Sequence, residues 1–152
     1  MATETSALLD ETGRKLLSAL QDNARLSFAE LGRRIGLSPA ATAERLRRLE
    51  EAGVIKGYGV EIDREALGLP ILAMIRLSCD GAMYRPFLKA VQTLDTVMEC
   101  HHVAGGDAFI LKVTAASVEH LERLVEKLLN FGVPTTSIVF SSPVSGRRLK
   151  VE

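Results

Sequence analysis

The stretch LGRRIGLSPAATAERLRRL, from Leu31 to Leu49, decides the fold of the first part of the chain. At its centre, Gly36 can adopt the positive φ that ends a helix, and Ser38 can cap a new helix with Pro39 at its first position. Upstream, Ser27 and Glu30 have the spacing of a capping box, in which each side chain satisfies the other's backbone N–H. The sequence therefore predicts two helices joined by a tight turn.

Apolar spacing indicates which side of each helix is buried. The residues predicted to face inward are Leu31, Ile35, Leu37, Ala43, Leu46 and Leu49. They are expected to pack against a preceding helix that carries Leu9, Leu16, Leu17 and Leu20. Each buried leucine contributes roughly 1.5–3 kcal/mol, so this small cluster can hold a three-helix unit together.

The opposite face of the second helix carries small residues and arginines, which suits the major groove of DNA. Ala40 and Ala41 would let the helix approach base edges, Thr42 could contact a base or phosphate, and Arg45 could fork onto guanine. Phosphate contacts are predicted for Arg33, Arg34, Arg47 and Arg48. An ordinary solvated helix pair is the alternative. Six arginines against two glutamates between residues 25 and 48 favour DNA.

Composition excludes several classes of protein. The formal net charge of the 152 residues is zero, so neither wholesale polyanion binding nor membrane binding is indicated. The longest apolar run, residues 66–75, is far shorter than the roughly 20 residues that span a bilayer. The opening residues do not resemble a secretory signal, and Cys79 and Cys100 lie in apolar segments without zinc-type spacing. We expect a soluble, cytoplasmic protein with no membrane partner.

The pattern changes near residue 55. Residues 54–62 could form a two-stranded wing or an extended arm, and short alternating runs follow. These runs predict strands at 71–79, 97–103, 109–115 and 133–141, and helices at 87–94 and 118–128, the last capped by Ser117 and ended by Gly132. The order βαββαβ is ferredoxin-like. The predicted fold is α+β, with a winged helix-turn-helix domain at residues 1–62 and a ferredoxin-like domain at residues 63–152.

A ferredoxin-like domain places both helices on one face of its sheet and leaves the other face uncovered. A second copy of the chain is the simplest cover, and a net charge of zero does little to oppose self-association. The sequence therefore predicts a homo-oligomer.

The order of these parts resembles the Lrp/AsnC family of bacterial and archaeal transcription regulators. The motifs that carry the resemblance are Leu9-Asp10, 14–17, 22–27, 37–39, Arg45, 48–50, 53–58 and 103–113. The resemblance implies dimers that often assemble into octamers, paired half-sites on double-stranded DNA, and a small-molecule effector, an amino acid or a related metabolite. By motif match, the residues facing DNA would be Ser38, Ala40, Thr42, Arg45 and Arg48.

The resemblance also places an effector pocket at the loop Gly105-Gly106-Asp107, where dimers meet. In the commonest family form this loop reads glycine, acid, aromatic, aspartate. Here the aspartate is at the third position and Ala108 is at the fourth. Because a displaced carboxylate points elsewhere, the resemblance does not give the identity of the effector.

Two other functions compete with DNA binding. Some proteins that resemble this family are decarboxylases of modified haem precursors that use histidines, and His101-His102 is the only such hint here. Neighbouring residues of a strand point to opposite faces, so this pair cannot jointly chelate one ion. A metabolite-binding protein without DNA affinity is the other alternative. Since no catalytic motif is present, we expect no enzyme activity, no metal and no cofactor.

Overall fold

The computed structural model describes residues 2–151, with side chains from Thr5 onward. Met1 and Glu152, the outermost residues of the two predicted domains, lie outside that range. The chain forms two compact units. The first runs to Glu61 and includes the C-terminal segment from Val144, and the second is Ile62–Pro143. The sequence predicts residues 63–152 as one domain, whereas in the structure the segment from Val144 packs with the first unit.

The C-terminal segment joins the first unit through specific polar contacts. The side-chain amide of Gln21 donates to the carbonyl of Leu149 at 3.1 Å and accepts from the N–H of Leu149 at 3.0 Å. Arg148 also forms an ion pair with Asp22. A pair of reciprocal hydrogen bonds holds an extended backbone as a neighbouring strand would, which sequence patterning around residue 149 does not reveal.

The described residues of the first unit form the helices α1 (Ala2–Leu8), α2 (Glu11–Asp22), α3 (Phe28–Ile35) and α4 (Pro39–Glu51). Its core consists of Leu8, Leu16, Ala19, Leu20, Leu31, Leu46 and Leu49. Leu9, predicted in the core, lies half-buried between α1 and α2, because Asp10 caps a new helix directly after it. Ala43 is also only half-buried.

Residues 54–62 form an extended arm and pair with no described strand, so the two-stranded wing does not form within residues 2–151. Gly57 and Gly59 weaken strand formation here. Val54 and Ile55 instead pack on the helical core, and the hydroxyl of Tyr58 donates to the carboxylate of Glu50 at 2.7 Å.

The second unit has the predicted βαββαβ order. Its elements are β1 (Ile71–Ser78), α5 (Gly81–Val91), β2 (Val97–His102), β3 (Phe109–Ala115), α6 (Val118–Leu129) and β4 (Val133–Ile138). The sheet order is β2-β3-β1-β4, and all three pairings are antiparallel. This confirms the α+β, ferredoxin-like prediction.

One face of the sheet is covered by the helices. Alternate residues of β1 and β3 pack against Phe87 of α5 and Leu121, Leu124 and Leu128 of α6. On the other face, Met74 and Ile110 are half-buried, whereas Arg76, His101 and Thr135 are exposed. We call this second side the open face of the sheet.

The ends of α6 show one correct signal and one wrong one. The hydroxyl of Ser117 accepts from the N–H of His120 at 3.2 Å, which confirms the predicted cap. The helix stops at Leu129 rather than at Gly132. A Cβ on Gly132 would collide with the carbonyl oxygen of Ser78, so glycine is needed here for close approach of the segment before β4 to the end of β1.

Candidate DNA-binding surface

The turn between α3 and α4 has the predicted geometry. Gly36 ends α3 in the left-handed conformation, with φ 76°, and the hydroxyl of Ser38 accepts from the N–H of Ala41 at 3.2 Å. Pro39 is the first residue of α4.

The capping box of α3 is only half formed. Ser27 accepts from the N–H of Glu30 at 3.2 Å, but the Glu30 carboxylate pairs with Arg33 and Arg34 instead of Ser27.

One side of α4 is exposed and the other is buried. Thr42, Leu46 and Leu49 face inward. We call the exposed residues the outer face of α4, and they are Ala40, Ala41, Glu44, Arg47, Arg48 and Glu51. The two alanines lie in the first turn of the helix, next to Ser38. A helix end with such short side chains can approach a groove floor closely.

Thr42 is not on this outer face, which corrects its prediction as a DNA contact. Its side chain is completely buried, and its hydroxyl donates to the carbonyl of Ser38 at 2.9 Å. The hydroxyl also lies against Gly32 of α3. A threonine that bonds back one turn is compatible with a buried helix position, so Thr42 joins α3 to α4 rather than to DNA.

Arg45 is the second correction. Its guanidinium turns back toward the start of α2, where it pairs with Asp10 and lies 3.5 Å from the carbonyl oxygen of Leu8. Only 21% of its side chain is exposed. In this conformation Arg45 cannot fork onto a guanine.

The remaining predicted arginines are exposed but differ in their partners. Arg33 and Arg34 share Glu30, and Arg47 lies between Glu44 and Glu51. The hydrogen bond from Arg47 holds the pKa of Glu44 below its usual value. Arg48 is exposed and forms no ion pair with any side chain from Thr5 to Val151. Exposed pairs are weak, so Arg33, Arg34 and Arg47 can each exchange a carboxylate for a phosphate, and Arg48 can bind a phosphate without such an exchange.

Glu44 is not predicted as a DNA contact from the sequence, where it is treated only as a negative charge that offsets the arginines. It lies four residues after Ala40 and three before Arg47, spacing that places all three on one side of a helix. A carboxylate in a groove can accept a hydrogen bond from the amino group of cytosine. This spacing was the signal that could have identified it.

The loop predicted to contact an effector follows β2. Gly105 has a φ of 131°, and a Cβ at Gly105 or Gly106 would meet open space. The half-buried carboxylate of Asp107 accepts from the hydroxyl of Ser78 at 3.1 Å, and its other oxygen lies 3.9 Å from Nη1 of Arg76. The loop therefore brings a carboxylate and a guanidinium together at one end of β1.

The two neighbouring histidines point to opposite faces, as predicted. His101 pairs with Ile110 in the sheet and bonds to Glu99 on the open face, where Glu99 also binds Lys112 at 2.9 Å. His102 faces the helices, and its Nδ1 lies 3.3 Å from the hydroxyl of Tyr84. Among the side chains that the structure describes, from Thr5 to Val151, no group of three or more His, Cys, Asp or Glu residues could hold a metal ion.

Comparison with known proteins agrees with this architecture. Residues 9–56 match the family model for winged helix-turn-helix DNA-binding, and residues 72–149 match the Lrp/AsnC ligand binding domain. The chain belongs to the Lrp/AsnC family. A similar Lrp/AsnC protein is the HTH-type transcriptional regulator LrpC of Bacillus subtilis, 36% identical over 133 residues, which cover 88% of this chain and 92% of LrpC. AldR of Mycolicibacterium smegmatis is 39% identical over 125 residues, 80% of this chain and 73% of AldR.

Solved Lrp/AsnC structures superpose over nearly the whole chain. Bacillus subtilis LrpC matches with a TM-score of 0.85 at 34% identity, covering 91% of this chain and 98% of LrpC. A Neisseria meningitidis transcriptional regulator in complex with L-Met matches with a TM-score of 0.84 at 29% identity, covering 90% and 92%.

Membership of the Lrp/AsnC family decides between the competing functions. The protein is a transcriptional regulator rather than an enzyme, because its curated relatives are named as regulators. The haem-precursor decarboxylase alternative, based on His101 and His102, is not supported. Among the described residues, no helix is both long enough and apolar enough to cross a membrane.

Proposed function

We propose that this Lrp/AsnC regulator binds double-stranded DNA through the outer face of α4, with Ser38 and Ala40 nearest the bases. Arg33, Arg34, Arg47 and Arg48 contact phosphates. The observation that carries the proposal is the exposed first turn of α4, where two alanines adjoin a cap and a flanking set of arginines. Since its target is chromosomal DNA, we place the protein in the cytoplasm.

A duplex selected from a random pool by the wild-type chain provides the probe for this surface. Ala40→Glu adds a long side chain and a negative charge at the proposed groove contact, and we expect it to abolish selective binding in a gel shift. Gln92→Glu adds the same charge at an exposed position of the second unit and should have no effect. Equal binding by both variants would contradict the proposed surface.

We also propose that the regulator is a homodimer through the open face of the sheet, with octamers as a further assembly. Met74 and Ile110 supply apolar area there, and the helices cover only the other face. A dimer would present two α4 helices to half-sites about 34–36 Å apart. Light scattering at micromolar concentration should give at least a dimeric mass. Met74→Lys should lower that mass, and Leu129→Lys, an exposed position on α6, should not.

The effector proposal concerns the loop Gly105-Gly106-Asp107. An α-amino acid carries an ammonium and a carboxylate, and Asp107 with Arg76 offers one counter-charge for each. The L-Met complex of the Neisseria relative supports this ligand class. In a thermal-shift screen of the standard amino acids, at least one should raise the unfolding temperature. Asp107→Asn should remove that shift and Asp95→Asn should retain it. A wild-type chain that responds to no amino acid would contradict the proposal.

A further inference from the structure

The guanidinium of Arg45 joins three helices of the first unit. It projects from the middle of α4, pairs with Asp10 at the start of α2 and approaches the carbonyl oxygen of Leu8 at the end of α1. The end of a helix carries free carbonyl groups and partial negative charge, so a cation is favoured there. One side chain of α4 thus meets the end of α1 and the beginning of α2.

The partners of Arg45 are themselves held in place. The Asp10 carboxylate caps α2 by accepting from the N–H of Gly13 at 2.8 Å. A Cβ on Gly13 would collide with the carbonyl of Leu8 and lie 3.4 Å from Nη2 of Arg45. Because Gly13 permits this close approach, Asp10 and Leu8 present a fixed pair of acceptors to the guanidinium.

The arrangement of Arg45 is costly if stability alone is considered. Its Nε is buried and has no hydrogen-bond partner among the described residues. A buried donor left unpaired destabilises the folded state, and an ion pair whose carboxylate is half exposed recovers little of that loss. The contact instead fixes the orientation of α4 relative to α1 and α2, since charged groups in a mostly buried setting accept few alternative arrangements.

We propose that Arg45 is a positioning residue for DNA recognition: through Asp10 it sets the rotation of α4, and so decides which outer-face side chains reach the bases. This inference rests on the DNA-binding surface proposed above. Residues four apart differ by only about 40° around an α-helix, so a modest roll of α4 would turn Glu44 toward the groove floor in place of Ala40. Positioning by Arg45 would therefore control sequence preference without any contact to DNA.

The test is a double-mutant cycle on Arg45 and Asp10. Asp10→Ser retains an oxygen to cap α2 but removes the charge that binds Arg45. Dissociation constants are measured for the selected duplex and for a scrambled duplex of the same composition. We expect Arg45→Ala and Asp10→Ser each to lower the ratio of selected to scrambled affinity about tenfold, with the double variant no worse than either single one.

Other readouts separate positioning from a structural role and from a direct contact. Arg45→Lys, which can keep the ion pair, should restore part of the ratio. The slope of the logarithm of the binding constant against the logarithm of the salt concentration should stay unchanged in Arg45→Ala. Loss of a phosphate contact would instead lower the magnitude of that slope by about 0.9. Circular dichroism verifies folding, and Arg45→Met, which keeps the apolar stem, replaces Arg45→Ala if the latter unfolds.

The inference is overturned if Asp10→Ser leaves the affinity ratio unchanged while Arg45→Ala relaxes preference at a single base pair, because Arg45 would then read a base directly. Additive losses in the double variant would overturn it as well. If the wild-type chain enriches no duplex at all, the DNA-binding surface fails first, and the positioning role fails with it.

Discussion

Gly32 of α3 lies so close to Thr42 of α4 that a Cβ on the glycine would be 2.9 Å from the threonine hydroxyl oxygen. That hydroxyl in turn donates to the carbonyl of Ser38, at the cap of α4. The two helices therefore cross where one has no side chain and the other has a polar group satisfied by its own backbone. This contact turns Thr42 inward and leaves Ala40 and Ala41 outside.

Gly32→Ala should destabilise the first unit. The added methyl group meets both the Thr42 hydroxyl and the carbonyl oxygen of Leu37, so the helices must move apart. Overpacking of this kind costs typically about 1–3 kcal/mol. Urea unfolding followed by circular dichroism measures the change. Gly59→Ala is the matched control, since a Cβ there meets nothing within 4 Å. Equal midpoints for both variants would show that the crossing can relax.

Arg48 and Arg47 should differ in their contribution to DNA affinity. Arg48 pairs with no carboxylate among residues 5–151, whereas Arg47 already has Glu44 and Glu51. We expect Arg48→Ala to weaken binding to selected and scrambled duplexes alike. It should also lower, by about 0.9, the magnitude of the slope of the logarithm of the binding constant against the logarithm of the salt concentration. Arg47→Ala should have a smaller effect on DNA affinity and on this slope. Fluorescence anisotropy across a salt series gives the slope for each variant, and the reverse order would show that pairing with Glu44 and Glu51 does not limit the contribution of Arg47.

Glu44 should influence both sequence preference and general affinity. Removing its carboxylate in Glu44→Ala deletes a potential acceptor for cytosine, for which about 1–3 kcal/mol of discrimination is typical. The same change releases Arg47 from one of its two carboxylates. We therefore expect tighter binding to scrambled duplex and a relaxed consensus in a repeated selection. Glu11→Ala removes a similarly paired carboxylate from α2 and should change neither measurement.

Tyr58 should titrate only at high pH. Burial and the hydrogen bond to Glu50 raise its pKa to about 12. Because the folded pKa exceeds the usual value near 10, the contribution of Tyr58 to stability is complete below about pH 10 and is lost as the pH rises toward 12. Phenolate absorbance, taken as the difference between wild type and Tyr58→Phe, follows this titration.

The Tyr58 midpoint also tests the contact between the arm and α4. Glu50→Gln removes the negative charge beside the phenol and should lower the midpoint. Glu51→Gln removes a neighbouring carboxylate that pairs with Arg47 and should leave it in place. Identical shifts in the two variants would mean that the general charge of α4, rather than the bond to Glu50, raises the pKa.

Local signals in the sequence were sufficient for much of the architecture. Gly36, Ser38 and Pro39 define the turn because the conformational limits of glycine and proline act within a few residues. The strands and helices of the second unit follow from alternation and helical periodicity, and their order limits the topology. The same kind of signal failed for Gly132, whose role is close approach to Ser78 in a different element.

By itself, the sequence determined the order of the helices and strands of the second unit and the family to which the chain belongs, since these depend on short-range backbone preferences and on motif order. It did not determine where α5 begins, because the helix predicted at 87–94 starts at Gly81 in the structure. Only the tertiary structure decided that Thr42 and Arg45 turn inward, that Glu44 joins the outer face of α4, and that the C-terminal segment packs on the first unit. The rotation of a helix about its axis is set by the partners it packs against, here Gly32 and Asp10, which are ten and thirty-five residues away in the chain.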